Sequence, residues 1–485
     1  MKNKLSTLII SLFLLCACND WLDVQPEASI SQEELFRTEE GFFEALNGVY
    51  TQCSDNYFYG GLFTVEIQDA FAQNYSYKVQ DYTNYLYTSM FNFENQACKT
   101  RNNLIWTNAY KAIVNINLIL ENIDGKKDIF NEGMYELVKG EALALRAFIH
   151  FDLLRYFALP YTQGSTGKTI PYVTSYSNRV TPLSTGKEVT DMALEDLNAA
   201  KQLLSAVDPI LESSYIVGYP TDEIGVSTEQ DATLFLQNRR HRINYYAVCG
   251  TLARIYLYVK DYDKALSNAN EVIEAAKFPW VNPDIFLAEE ISRDRLMYPE
   301  LIFSWYIEQL EVQMRSRYES VSTGYFITND HARNIYEVAT VGAEDYRFKG
   351  WFLRASTETS FQIVKYLRNR SGDGNRHYLV APALRLSEMY YIAAESAYST
   401  NPALAWQYLN EVRFHRGIDT PLDGSNNFTN ELLKEYRKET YGEGQAFYAY
   451  KRLGQNIYSE AGMVFLPGDI APIPFPDDEI EFGNR

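Results

Sequence analysis

Residues 253–273 read ARIYLYVKDYDKALSNANEVI, and their spacing decides the fold. Ala253 and Tyr256 stand three apart, as do Tyr262 and Ala265, on either side of a break at Lys260-Asp261. Residues three apart share one face of a helix. Two such stretches joined by a short polar break form an antiparallel pair, in which small residues let the backbones approach and tyrosines cap the crossing. The helical pattern extends over 242–277. A degenerate second copy lies in 384–416, with Ala393, Pro402, Ala405 and Leu409 in related positions.

This is the relative spacing of a tetratricopeptide hairpin, a unit that needs stacked neighbours to bury its faces. Candidates for those neighbours are plentiful. Segments 38–52, 101–122 and 187–205 have helical periodicity, the second with Ile105, Trp106, Ala109, Ile113, Ile116 and Leu120 in one stripe. Segment 136–158 (ELVKGEALALRAFIHFDLLRYFA) is apolar around most of its circumference. It therefore belongs inside an all-helical body, with Glu141, Asp152 and Arg155 on one stripe, Arg146 and His150 opposite, and the charges paired. Residues 278–383 differ: β-rich runs at 301–307, 324–329 and 361–367 alternate with Gly- and Asn-rich turns. Four prolines in 465–485 exclude a central strand or a long helix there. The expected fold is mainly α, a body of helical hairpins carrying long loops and small β elements that make a ligand-binding face.

The N-terminus sets the compartment. Lys2 and Lys4 precede the apolar run 5–17 (LSTLIISLFLLCA), which is too short to span a bilayer and suits a signal-peptide core. It ends in Leu15-Cys16-Ala17-Cys18, which looks like a lipobox with Cys18 as the acylated position. The chain then divides into a signal peptide (1–17), a lipidated tether (18–30), a helical region (31–232) and a second region of the same structural unit (233–485). Loss of Lys2 and Lys4 takes the 44 basic residues to 42 against 63 acids, a net charge of −21. That balance repels phosphate backbones and anionic membrane surfaces, so nucleic acid is not an expected partner and the lipid is the only membrane contact. Cys53, Cys98 and Cys249 form no CxxC; whether two of them pair is open, and a structural zinc site is not expected.

Seven segments in register resemble the SusD/RagB family: CNDWLDVQPEA, GEALALRAFIHFDLLRYFALPY, ARIYLYVKDYDKALSNANEVI, YPELIFSW, LRLSEMYYIAAESAY with LNEVRFHRG, KETYGEGQ, and APIPFPDDEI. The resemblance implies a helical body with a loop-built glycan-binding face. It further implies an outer-membrane lipoprotein facing the cell exterior that passes an oligosaccharide or other nutrient to a SusC-like TonB-dependent transporter. Where many members carry Arg and Asp after the Glu-Gly pair, this chain has Ala446 and Ala449, which leaves the local salt bridges there in doubt.

No GxSxG, HExxH or P-loop occurs, and no cofactor, metal site or catalytic residue is expected. A surface glycoside hydrolase and a protein-binding scaffold of tetratricopeptide type remain the alternatives. His150, on a buried helix, reads as a satisfied core residue. A sugar ring stacks its C–H face on an aromatic plane while Asn, Asp and Arg bond its hydroxyls. The aromatic loop 73–95 offers Tyr82, Tyr85, Tyr87 and Asn84 for that purpose. Tyr325 and Trp351, the latter in RFKGWFLR, are the candidates from the loop-rich region. Tyr82, Tyr85 and Trp351 are expected on one exposed surface.

Overall fold

The computed structural model describes residues 31–77, 81, 84–217, 229, 233–288, 293–319, 325–354, 359–368, 375 and 377–483. The expected signal peptide, Cys18 and Tyr82 lie outside them. Helices of nine residues or more are α1 (Glu39–Cys53), α2 (Gln96–Ile123), α3 (Met134–Phe157), α4 (Gly186–Leu204), α5 (Tyr245–Tyr258), α6 (Tyr262–Glu274), α7 (Leu310–Tyr318), α8 (Leu386–Tyr398), α9 (Pro402–Phe414), α10 (Phe428–Glu439) and α11 (Gln445–Leu453). The strands are β1 (Leu301–Tyr306), β2 (Ile327–Thr328), β3 (Phe352–Arg354), β4 (Ser360–Ile363), β5 (Val380–Arg385), β6 (Ile457–Tyr458) and β7 (Val464–Phe465). They form three small antiparallel sheets, ordered β1-β5, β2-β4-β3 and β6-β7. The protein is mainly α, as the periodicity predicts. No helix of the described residues is long and apolar enough to cross a membrane.

Both hairpins of the sequence pattern are present, as α5–α6 and α8–α9. Ala253, Ala265, Ala393 and Ala405 are fully buried, and α6 packs on α8, so the two hairpins stack on each other. Asp261 accepts from Lys264 N and Asn401 from Leu404 N, capping the second helix of each hairpin. α1, α2, α3 and α4 continue the layer in chain order. A Cβ on Gly140 of α3 would lie 2.8 Å from Leu204 of α4, so only glycine permits that approach.

The charges of α3 are paired. Glu141 accepts from Arg239 at 2.6 Å, and Arg146 holds Asp196 at 2.7 Å. His150 stacks on Tyr172 with centroids 3.9 Å apart; its Nδ1 bonds the Arg146 carbonyl, and its Nε2 accepts from Val173 N. Burial holds this imidazole down to about 3, and both nitrogens are occupied as a neutral ring requires. Because its folded value lies below the ordinary 6.5, His150 contributes stability that is complete above pH 6.5 and lost as pH falls through that window. Going from pH 7 to pH 5 is expected to remove about 2 kcal/mol through His150. Urea melts at the two pH values, compared with those of His150→Gln, check this; an unchanged pH dependence in the variant would assign it to other groups.

The segments YPE, AEDYR, VKYL, LRLSE, RFHRG and KETYGEG converge on a buried ionic network. Six acids (Glu300, Glu337, Asp345, Glu435, Glu439 and Glu443) face six cations (Arg347, Lys365, Arg385, Arg413, Arg416 and Lys438), and all but Glu337 are buried. Glu439 accepts from Arg416 at 2.6 Å and from Arg347 at 2.9 Å, with Arg385 at 3.7 Å. Burial alone would raise its carboxyl, yet Arg416, Arg347 and Arg385 together hold it well below the usual range. Beside the network, Gly442 and Gly444 adopt φ of 71° and 73°, and their N–H groups donate to the buried Asp69 at 2.7 and 2.8 Å. Ala446 and Ala449 are buried as well. The charges around them pair with other residues, Arg452 with Glu395 and Arg254 with Glu388. Cys53, Cys98 and Cys249 are free and buried.

Candidate functional site

A cleft of about 500 Å³ opens where the end of α1, the short helix Tyr85–Ser89, the start of α2 and α7 meet. Its walls include Asn56, Tyr57, Glu66, Asn84, Tyr85, Gln96, Thr100, Arg101 and Arg317. The loop that carries Asn56 and Tyr57 follows α1 and leads into a wide helical turn at Leu62–Glu66, which buries Glu66. Asn84 has φ 59°, the left-handed conformation asparagine tolerates, and so turns the chain into the short helix. Tyr57 is 52% exposed and presents its ring at the mouth.

Glu66 organises the floor. It accepts from the hydroxyls of Tyr85 and Tyr325 and from the Arg317 guanidinium, and Arg317 Nη2 also donates to Asn56 Oδ1 at 2.9 Å. Arg101 lies 3.6 Å above the Tyr85 ring and donates to Thr88 Oγ1. Burial, and then the Glu66 charge, push the Tyr85 and Tyr325 hydroxyls upward, so both remain protonated donors. The result is a rigid wall of paired polar groups beside one free aromatic face. Such a surface can take a flat, hydroxylated molecule: C–H groups against Tyr57, and hydroxyls toward Asn84, Gln96, Thr100 and the guanidinium edges.

The structure brings together only part of the set read from the sequence. Asn84 and Tyr85 line the cleft, Tyr85 from behind because it is buried. Tyr325 stacks on Tyr75 beneath the floor, with centroids 4.6 Å apart. Tyr87 is exposed on the same short helix but does not line the cleft. Trp351 is the clear correction. It is fully buried, donates from Nε1 to the Arg295 carbonyl at 2.6 Å, and carries Lys365 Nζ 3.9 Å above its ring. The polar neighbours of RFKGWFLR made it look like a surface loop. Instead, Arg347 turns inward into the ionic network and Gly350 packs under Phe286. The expectation of one exposed surface for Tyr85 and Trp351 therefore fails. The sequence reading missed Tyr57, Arg101 and Arg317. Tyr57 could have been found in SDNYFYGG, an aromatic run between turn residues; nothing local marks the arginines. Among the described residues, no cluster of His, Cys, Asp and Glu could hold a metal ion.

Two family models match the chain: "Starch-binding associating with outer membrane" over residues 20–214 and "SusD family" over residues 342–468. The chain belongs to the SusD/RagB family. It is 25% identical over 377 residues to the SusD-like protein P38 of Formosa agariphila, a match covering 74% of this chain and 62% of that protein, less than two thirds of its length. A SusD superfamily protein from Bacteroides thetaiotaomicron superposes with a TM-score of 0.72 at 21% identity, covering 92% of this chain and 98% of that one. A SusD-like carbohydrate-binding protein from Bacteroides vulgatus gives a TM-score of 0.67 at 18% identity, covering 87% and 85%. At these identities the two solved structures show a shared fold.

Proposed function

We propose that the protein is a cell-surface lipoprotein, anchored through Cys18, that captures an oligosaccharide and delivers it to a SusC-like TonB-dependent transporter. The observation that carries this reading is the cleft itself. An exposed Tyr57 ring stands over a wall whose two cations are already engaged, Arg317 by Glu66 and Arg101 by Thr88 and the Tyr85 ring. Such a wall favours an uncharged, hydroxyl-rich ligand over an anion. Glu66 receives three donors, which suits it to fixing the wall and not to moving protons, so binding without hydrolysis is the expected activity. The membership of a family whose model is described as starch-binding and outer-membrane-associated supports both the ligand class and the location.

One experiment addresses the whole reading. Cells displaying the full chain, without the partner transporter, are given fluorescent neutral oligosaccharides. Surface retention without new reducing ends is expected, and Tyr57→Ala is expected to weaken binding roughly ten- to a hundredfold, the scale of losing one stacking platform. Cys18→Ala is expected to release the protein, with its glycan, into the medium, because the acyl chains provide the membrane affinity. New reducing ends would favour a hydrolase. Absence of retention together with co-purification of the transporter would favour a protein-binding scaffold.

A further inference from the structure

The hairpin β6–β7 stands on the surface, with its cross-strand pair Tyr458 and Val464 exposed. Its turn is held by its own bonds: Ser459 N donates to Met463 O and Met463 N to Ser459 Oγ, both at 2.9 Å. Glu460, in that turn, is not needed for its shape, and its side chain is exposed enough for water to serve it. The carboxylate instead reaches into the body. Oε2 accepts from the Ser76 hydroxyl at 2.6 Å, and Oε1 accepts from the Thr328 hydroxyl. His331 Nδ1 lies 3.4 Å from Oε2. Arg437 donates to Nε2 of that ring at 3.2 Å, which leaves the ring proton on Nδ1, facing the carboxylate.

Ser76 and Thr328 lie 252 residues apart in the chain, and two further bonds join their segments. Ser76 N donates to Phe326 O at 2.8 Å, and Thr328 N to Ser76 Oγ at 3.2 Å. Beside this junction stand the tyrosines that carry the floor of the cleft. Tyr75 and Tyr325 stack with centroids 4.6 Å apart; Tyr75 donates to the Val65 carbonyl at 2.6 Å and Tyr325 to Glu66 at 3.2 Å. Glu66 holds Arg317 and Tyr85 in turn, so the wall follows the tyrosine pair. An exposed carboxylate adds little to stability, because water can take its place. Its geometric effect is larger: with one oxygen on each segment, it fixes how the two lie against each other. We propose that Glu460 is a positioning residue for saccharide binding, which clasps Ser76 to Thr328 and so sets the tyrosine pair beneath Glu66. The proposal rests on the reading of the cleft beside Tyr57 as the saccharide site.

The test is titration of the purified protein and of Glu460→Ala, Glu460→Gln and Tyr57→Ala with cello-, malto-, xylo-, manno- and laminari-hexaose. Thermal melts and peptide-resolved hydrogen exchange without ligand accompany it. Glu460→Ala is expected to weaken binding of the hexaose that the parent takes by roughly two- to thirtyfold, at an unchanged melting temperature. The Ser76 amide is expected to exchange faster in that variant, and Glu460→Gln, which keeps one acceptor oxygen, to lose less affinity. Tyr57-dependent binding that ignores Glu460→Ala would overturn the proposal and leave the cleft standing. So would unchanged exchange at Ser76, or a lower melting temperature with full affinity per folded molecule. Binding of none of the five hexaoses, or full binding in Tyr57→Ala, would retire the cleft and the proposal with it.

Discussion

Replacing Glu439 by alanine is expected to cost about 3–5 kcal/mol, because it leaves Arg416 and its neighbours Arg347 and Arg385 buried without their shared carboxylate. The loss comes less from three missing bonds than from charge stranded in a dry interior, since Arg385 Nη1 is already without a hydrogen-bond partner. Urea denaturation of Glu439→Ala, set against Glu439→Met combined with Arg416→Met, measures it. The double substitution removes one charge of each sign and is expected to recover part of the loss. A single variant within 1 kcal/mol of the parent would show that the twelve charges do not act as a unit.

Trp351→Ala is expected to destabilise the protein by about 3–5 kcal/mol, the range for emptying a large aromatic site in a core. The substitution also orphans the Arg295 carbonyl and takes the ring from beneath Lys365, whose ammonium burial already holds down to about 8. The melting temperature is expected to fall, and binding per folded molecule to stay unchanged. Trp351 does not line the cleft beside Tyr57, so reduced affinity at an unchanged melting temperature would contradict this placement.

The helical body was legible because its signal is periodic. Ala253, Tyr256, Tyr262 and Ala265 predict a hairpin from spacing alone, and the apolar circumference of 136–158 predicts an interior helix with paired charges. The site was only half legible. The loop 73–95 points to the right place, since Asn84 and Tyr85 line the cleft, but a tyrosine-rich loop does not reveal which rings face inward. Tyr75, Tyr85 and Tyr325 are buried against one another, while Tyr57, from a loop some twenty-five residues upstream of Tyr82, supplies the free face. Arg317 reaches Glu66 across 251 residues, a partnership no local pattern records. Trp351 misled for the opposite reason: polar neighbours imply solvent only when they are not themselves buried in pairs.

Asp69 and the turn at Gly442–Gly444 have a temporal meaning as well as a spatial one. The carboxylate near the start of the body is buried with two of its donors about 373 residues further on. A chain emerging from the ribosome N-terminus first therefore carries that group with Asn74 as its near donor, and without its two glycine donors until nearly all of the chain has been made. Glu300 likewise meets Arg416 only 116 residues later, and Arg347, paired meanwhile with Asp345, meets Glu439 92 residues later. Completion is thus signalled by the last tenth of the polypeptide. A chain truncated before residue 439 is expected to leave Arg416 and Asp69 short of these partners, a difference that limited proteolysis of the truncated chain would reveal.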